Sequence, residues 1–380
     1  MKIAYFLQLN MGPGTGVYKK VLSQARAWQQ LGHVVTLFVV TKRPDVLHDL
    51  QHSNLGLQAQ VETYSGSRLP APFDGRLQAM ARLVQRLEGE RPDVVYTRQD
   101  LYLPPLQRLL TRQRVVVEVN TNDLGELRSA SLPFMVYYRA TRGLLLGRAA
   151  GLVYVSYEIA KQPHYAKFRP PHTVIGNGIA LEDTRPLPAP TAGPPRLVFI
   201  GHAGQPWHGV DKILQLARLR PDWRFDLVGI SAQDTPEDAP ANVTLHGHLD
   251  RASYERILEA ADCAVGSLAL HRNSMQEASP LKVREYLAYG LPVILGYLDT
   301  DFLSGAEFIL RLPNTESNVK DTLGDIERFV RSWQGRRVPR EVAARLDYAH
   351  KEQERIAFFA SLLESAGARE HSATRPRRVP

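Results

Sequence analysis

Five prolines fall within the twelve residues "TRPLPAPTAGPP", 184–195. Each proline fixes its own φ and removes a backbone donor, so neither a helix interior nor a central strand accommodates the stretch, and it reads as a stiff linker. The same grammar runs on both sides of it. Before it, "KIAYFLQLN" is an apolar strand, "MGPGTG" a glycine-rich turn, "VYKKVLSQARAWQQLG" an amphipathic helix closed by Gly32, and "HVVTLFVV" a second strand. "RPDVVYTR", "RVVVEVN" and "GLVYVSYE" add near-continuous apolar runs, the pattern of strands covered by helices on both faces. After it, "RLVFIG", "FDLVGI", "VTLHGHL", "CAVGSL" and "PVILGY" read as strands, with helices at "GVDKILQLARLRP" and "RASYERILEAAD". The expected fold is α/β: two Rossmann-like, doubly wound domains facing each other across a cleft.

A length of 380 residues suits two cores better than one. With 44% hydrophobic and 23% charged residues the chain is of the globular class, not the disordered or fibrous one. Cys263 is the only cysteine, so no internal disulfide can form and a cytoplasmic setting is expected. Its apolar context, "AADCAVG", marks a buried structural thiol rather than a nucleophile. No run of 18 apolar residues occurs and "MKIAYFLQLN" enters a strand directly, so neither a membrane span nor a signal peptide is expected. A formal charge of +8 predicts an acidic partner, either a phosphate-bearing substrate or an anionic membrane surface. Zinc-finger, helix-turn-helix and stacking-aromatic signatures are missing, and nucleic acid is not an expected partner.

The stretch "EASPLKVREYLAYGLPVI", 277–294, concentrates candidate chemistry. It predicts a helix from about Pro280 to Tyr289, with Ser279 as N-cap, Pro280 at the first helical position, and Gly290 with Pro292 ending it before a strand. Glu277 then lies in the entering loop and Glu285 about one and a half turns inside. Lys282 stands in the first turn, where a cation is normally unfavourable. A positive charge at a positive helix end is sensible if phosphate binds there. The plain counterpart is a surface Lys282/Glu285 pair, worth ~0.2–0.5 kcal/mol. The first-domain loop "GPGTG" has glycines at 12, 14 and 16, which is not G-x-G-x-x-G, and "VVTKRPD" lacks the acidic residue that would hold a ribose. A nicotinamide dehydrogenase is therefore not supported, while backbone contact between this loop and a substrate is.

Together these residues resemble the GT-B retaining glycosyltransferases of family 4, the glycosyl transferases group 1, over about residues 1–365. The likeness rests on "GTGVYKKVLSQARAWQQLGH", on "GLVYVSYEI" followed by "VIGNGI", on "FIGHAGQPWHGVDKIL", and on the Glu-x7-Glu motif in "EASPLKVREYLAYGLPV". It implies an acceptor-side domain at 1–183, a linker at 184–195, a nucleotide-sugar domain at 196–341, and a helix at about 342–365 packed back on the first domain. Residues 366–380 are expected as a basic, disordered tail.

The resemblance also implies roles. Glu285 would take the ribose hydroxyls of a sugar nucleotide, Lys282 and helix-start N–H groups such as that of Leu281 the pyrophosphate, and Glu277 the donor sugar. Gly16 and Thr15 occupy the family's first-domain glycine pair, and Gly201 and His248 fall on the nucleotide-sugar side. Two positions depart from the family pattern. His208 stands where a lysine is common and is expected to donate a hydrogen bond or be partly protonated. Asn120 stands where a histidine is common; it can hydrogen-bond the sugar or acceptor but cannot act as a general base. "HGH" at 246–248 is read as loop residues near the base rather than as metal ligands.

The expected activity is metal-independent, hexosyltransferase-like transfer from a nucleoside-diphosphate sugar, as co-substrate and with no cofactor, to a lipid-linked or saccharide acceptor in cell-surface polysaccharide or glycolipid synthesis. The alternatives are a non-catalytic or regulatory binding protein on the same scaffold and a sugar-nucleotide epimerase or hydrolase. "LPFMVYYRATRGLLLGRAAG", 132–151, interleaves apolar residues with Arg139, Arg142 and Arg148 and carries no acid, which suggests peripheral contact with an anionic membrane at the inner face.

Overall fold

Seven parallel strands form the first sheet: β1 (Lys2–Gln8), β2 (Val34–Thr41), β3 (Gln58–Thr63), β4 (Val94–Arg98), β5 (Val115–Val119), β6 (Gly151–Tyr154) and β7 (His172–Val174), ordered β3-β2-β1-β4-β5-β6-β7. The computed structural model describes residues 1–52, 56–65, 75–127, 131–235 and 238–373. Apolar runs on strands buried from both faces account for the parallel arrangement: Val115, Val116, Val117 and Val119 of β5 are all buried. The chain winds outward through β2 and β3 and returns to β4 on the other side of β1. A crevice therefore opens beyond the carboxyl ends of β1 and β4, the switch point where such sheets place ligands.

The second sheet repeats the plan with six strands, β8 (Arg196–Ile200), β9 (Arg224–Val228), β10 (Val243–Gly247), β11 (Cys263–Val265), β13 (Val293–Leu295) and β15 (Ile309–Arg311), ordered β10-β9-β8-β11-β13-β15. A separate short pair joins β12 (Glu277–Ala278) to β14 (Leu298–Asp299). Residues 184–195 contain neither helix nor strand and run along the second domain, where Leu187 N–H donates to Tyr289 O at 3.0 Å and Arg337 Nε to Pro188 O at 2.9 Å.

The last helix, Tyr348–Ala373, returns to the first domain. Phe359 packs edge-on to Trp28, centroids 6.0 Å apart, and Trp28 Nε1 donates to Glu352 Oε2 at 2.7 Å. Its length corrects part of the tail expectation, since residues 366–373 continue the helix, consistent with the helix-forming Ala and Arg there. Residues 374–380 lie outside the described residues. No helix among the described residues is long and apolar enough to cross a membrane.

Candidate functional site

The two domains enclose a cleft of about 850 Å³ lined from both sides. On the second-domain side the helix Leu281–Ala288 points its start into this space. The expected cap is corrected. Pro280, not Ser279, is the N-cap, in extended conformation and with no side-chain hydrogen bond. Ser279 Oγ is occupied by the Asn177 N–H of the first domain, at 2.7 Å. A helix start without a side-chain cap keeps free N–H groups and a partial positive charge, the setting that suits an anion.

Lys282 sharpens this. Its Nζ is buried without a hydrogen-bond partner and lies 4.3 Å from the centre of the Phe199 ring. No ion pair with Glu285 forms among the described residues, which disposes of the plain surface-pair reading. Burial alone lowers the Lys282 ammonium to about 7. Glu285 also lines the cleft; its Oε1 accepts from the Tyr254 hydroxyl at 2.7 Å, and burial pushes its carboxyl upward against that bond.

His208 behaves differently from expectation. Its Nδ1 faces the His202 carbonyl at 3.2 Å, and a carbonyl only accepts, so Nδ1 carries the proton and Nε2 is bare. Burial, reinforced by Lys282, lowers it to about 3. It is neutral at physiological pH and has no N–H to spare from Nε2. The Phe199 and His208 rings leave Gly201 no room for a Cβ, which would lie 2.5 Å from Phe199 Cζ and 3.0 Å from His208 Nδ1, so backbone is what lines the cleft there. His248 lines it as well. His246 does not: it belongs to β10 and its Nε2 turns to Asp226 Oδ1 at 2.8 Å, whereas His248 lies past the strand's end, beyond Gly247, whose positive φ of 61° and the register shift before it redirect the chain.

Glu277 is buried where the domains meet. Its Oε1 accepts from the Tyr157 N–H at 3.0 Å and the Thr300 hydroxyl at 2.9 Å, and its Oε2 from the Glu158 N–H at 2.9 Å. The carboxylate therefore caps the helix Tyr157–Lys161 of the opposite domain. Glu158 answers in kind, its Oε2 accepting from the N–H groups of Gln276 and Glu277 at 2.7 and 2.6 Å. Three of about four acceptor positions on Glu277 are thus filled, and one on Oε2 is left.

On the first-domain side, Thr15 caps the helix Gly16–Gln30, accepting from the Tyr18 N–H at 3.4 Å, and Gly16 meets Leu281 across the cleft, where a Cβ would come within 3.1 Å of Leu281 Cδ1. Below them lies a cluster that sequence reasoning missed. Lys20 Nζ donates to Glu118 Oε1 at 2.9 Å, Asn120 Oδ1 at 3.0 Å and Asn177 Oδ1 at 2.7 Å, which uses its three protons. Asn120 is thereby fixed with its carbonyl toward the ammonium, and its NH2 is what it can offer a substrate. Lys20 is lowered to about 8, burial outweighing Glu118, while against its own burial the charges of Lys20, Arg355 and Arg98 hold Glu118 down to about 2. Glu118 in an otherwise apolar strand, and Lys20 four residues before Gln24 on the buried face of a helix, were the available signals.

Arg142 is another correction. It is buried, with Nε and Nη2 on the Asp123 carboxylate at 2.6 and 3.0 Å and its guanidinium 4.9 Å from the Tyr165 ring centre, so it cannot meet a membrane. Arg139 is exposed on the same helix, Leu132–Leu146, whose start also exposes Leu132, Phe134 and Val136. No group of three or more His, Cys, Asp or Glu placed to hold a metal occurs among the described residues.

A family model described as a glycosyl transferase 4-like domain matches residues 15–178, and one described as glycosyl transferases group 1 matches residues 194–305. No curated protein sequence matches closely enough to count as a relative. Among solved structures, a sucrose-phosphate synthase from Thermosynechococcus elongatus is similar with a TM-score of 0.63 at 14% identity, covering 98% of this chain and 99% of that one. A glycosyltransferase from Rickettsia africae gives 0.65 at 12% identity, with 95% and 99% covered. An Anabaena protein in complex with UDP and glucose gives 0.59 at 16% identity, with 95% and 100% covered. At such identities the likeness shows the fold, which is GT-B.

Proposed function

Because the chain belongs to the group 1 glycosyltransferases, we propose that it moves a sugar from a nucleoside-diphosphate donor to an acceptor hydroxyl, with retention of configuration and without a metal. The observation that carries this is the buried, partnerless Lys282 ammonium beside the uncapped start of the helix Leu281–Ala288. A charge so placed is costly until an anion arrives, and a diphosphate satisfies it together with the free N–H groups. In this reading Glu285 accepts the ribose hydroxyls, and Gly201 and His248 face the nucleotide. Neutral His208 accepts through Nε2. Thr15 and Gly16 bring backbone to the donor phosphate from the other domain.

As negative charge builds on the departing diphosphate, Lys282 and the helix start stabilise it, and the leaving phosphate takes the proton of the attacking hydroxyl. Asn120 NH2, held by Lys20, donates to the sugar or acceptor, and the remaining acceptor position on Glu277 receives one donor-sugar hydroxyl. The acceptor is read as lipid-linked or saccharide, at the cytoplasmic face of the inner membrane. The exposed Leu132, Phe134 and Val136 beside Arg139 support contact with an anionic surface.

A thermal-shift screen of UDP, GDP, ADP and dTDP tests the donor half of this reading. One of them at ~100 times its dissociation constant stabilises by ~2.7 kcal/mol. Donor turnover with and without candidate acceptors tests the other half. No shift with any nucleotide would refute the proposal.

A further inference from the structure

The switch point of the first sheet holds a second crevice, about 240 Å³, between the carboxyl ends of β1 and β4. It is continuous with the main cleft, since Met11, Val17 and Arg98 line both. Phe6, Leu101, Leu106 and Leu145 give it apolar walls. Two polar groups stand in it without partners. Arg98 is half-buried at the end of β4, and among the described residues its guanidinium makes neither a hydrogen bond nor an ion pair. The carboxylates of Asp100 and Glu118 lie near enough to feel its charge, but neither hydrogen-bonds it: Asp100 Oδ1 accepts from the Leu101 N–H at 2.6 Å, and Glu118 Oε1 accepts from Lys20. Gln8 Nε2 donates to Leu101 O at 3.0 Å, which fixes the amide, and leaves Oε1 buried with no donor.

A guanidinium that makes no hydrogen bond and a fixed amide oxygen without a donor, set in one apolar crevice, complement a ligand that offers an anion and a hydroxyl together. We propose that this crevice is an acceptor subsite for an acidic saccharide, in which Arg98 binds a carboxylate or phosphate and Gln8 Oε1 accepts a neighbouring hydroxyl. The planar fork of arginine suits either anion. The proposal rests on the glycosyl-transfer reading, because it places the acceptor on the first-domain side of the cleft, opposite Lys282.

The test is calorimetric titration of the full chain with methyl glucuronide, glucose 6-phosphate and methyl glucoside, with and without a saturating nucleoside diphosphate. The wild-type protein is expected to bind at least one acidic sugar roughly 10- to 100-fold tighter than the neutral one, the range of a charge-assisted contact. Which acidic sugar wins separates carboxylate from phosphate. Arg98→Gln is expected to abolish the preference and Arg98→Lys to keep part of it, both with melting temperatures that report intact folding. Equal binding of acidic and neutral sugars, no binding of any, or a preference that survives Arg98→Gln overturns the subsite. So does an Arg98→Gln loss of nucleotide affinity as large as that of Lys282→Met, which would assign Arg98 to the donor. If no nucleotide binds yet the Arg98-dependent preference holds, the transfer reading fails and the subsite stands.

Discussion

Two buried lysines face one cleft from opposite domains, and they are built in opposite ways. Lys20 has an acceptor for each of its three protons, whereas Lys282 has none and lies over Phe199. Burial lowers both from an ordinary value of 10.5, to about 8 where Glu118 offsets it and to about 7 where nothing does. The contrast separates scaffold from site. A fully paired charge fixes geometry, here the orientation of Asn120, while an unpaired one is a place where binding energy is still to be gained.

The largest expected effect breaks the scaffold side. Lys20→Met leaves Glu118 buried without a hydrogen-bonded cation, Arg355 being 3.7 Å away and Arg98 acting only through space, and is expected to destabilise the protein by about 3–5 kcal/mol in denaturant unfolding. Lys282→Met should not lower ligand-free stability, because it removes a buried charge that has no hydrogen-bond or ion-pair partner and keeps an apolar side chain against the Phe199 ring. A similar loss in both variants would erase the distinction. Next in size, Lys282→Met is expected to weaken nucleotide binding by about 1.5–3 kcal/mol, roughly 10- to 100-fold, measured by calorimetry.

How far these features were legible in the sequence follows the same division. The twofold αβ plan, the linker and the helix at 281–288 came from periodicity and proline placement, which are local signals. The Glu-x7-Glu stretch marked Glu285 and Lys282, although the seat of Lys282 over Phe199 and the uncapped helix start left by Ser279 being drawn to Asn177 both depend on distant residues. Lys20, Asn177, Glu158 and Arg98 escaped notice because their meaning is tertiary. Lys20 meets residues about 100 and 157 positions away, and Glu277 and Glu158 cap each other's backbone across 119. Arg142 misled for the converse reason, since an arginine in an apolar helix reads alike whether it faces lipid or a buried Asp123.

A smaller effect sharpens the comparison through pH. Lys282 has a lowered folded value, so between about 7 and 10.5 the unfolded chain holds more protons than the folded one, and its contribution to ligand-free stability rises with pH across that window. Nucleotide binding needs the charged form and runs the other way. Affinity is expected to fall as pH rises above about 7, by less than tenfold per pH unit because one proton is involved, and to be flatter in Lys282→Met. The smallest effect is Thr15→Ala, which removes a long cap bond of 3.4 Å and is expected to cost about 0.5–1 kcal/mol of stability in thermal unfolding.

The claim that Lys282 awaits a diphosphate is tested most directly by proton uptake on binding. Nucleoside diphosphate is titrated calorimetrically at pH about 8 in two buffers of different ionisation enthalpy, near the condition where free Lys282 is largely neutral. The wild-type protein is expected to take up a fraction of one proton as the bound phosphate recharges the amine, and Lys282→Met to lose this uptake along with affinity. Tight binding with no proton uptake, or with uptake unchanged in Lys282→Met, would contradict it.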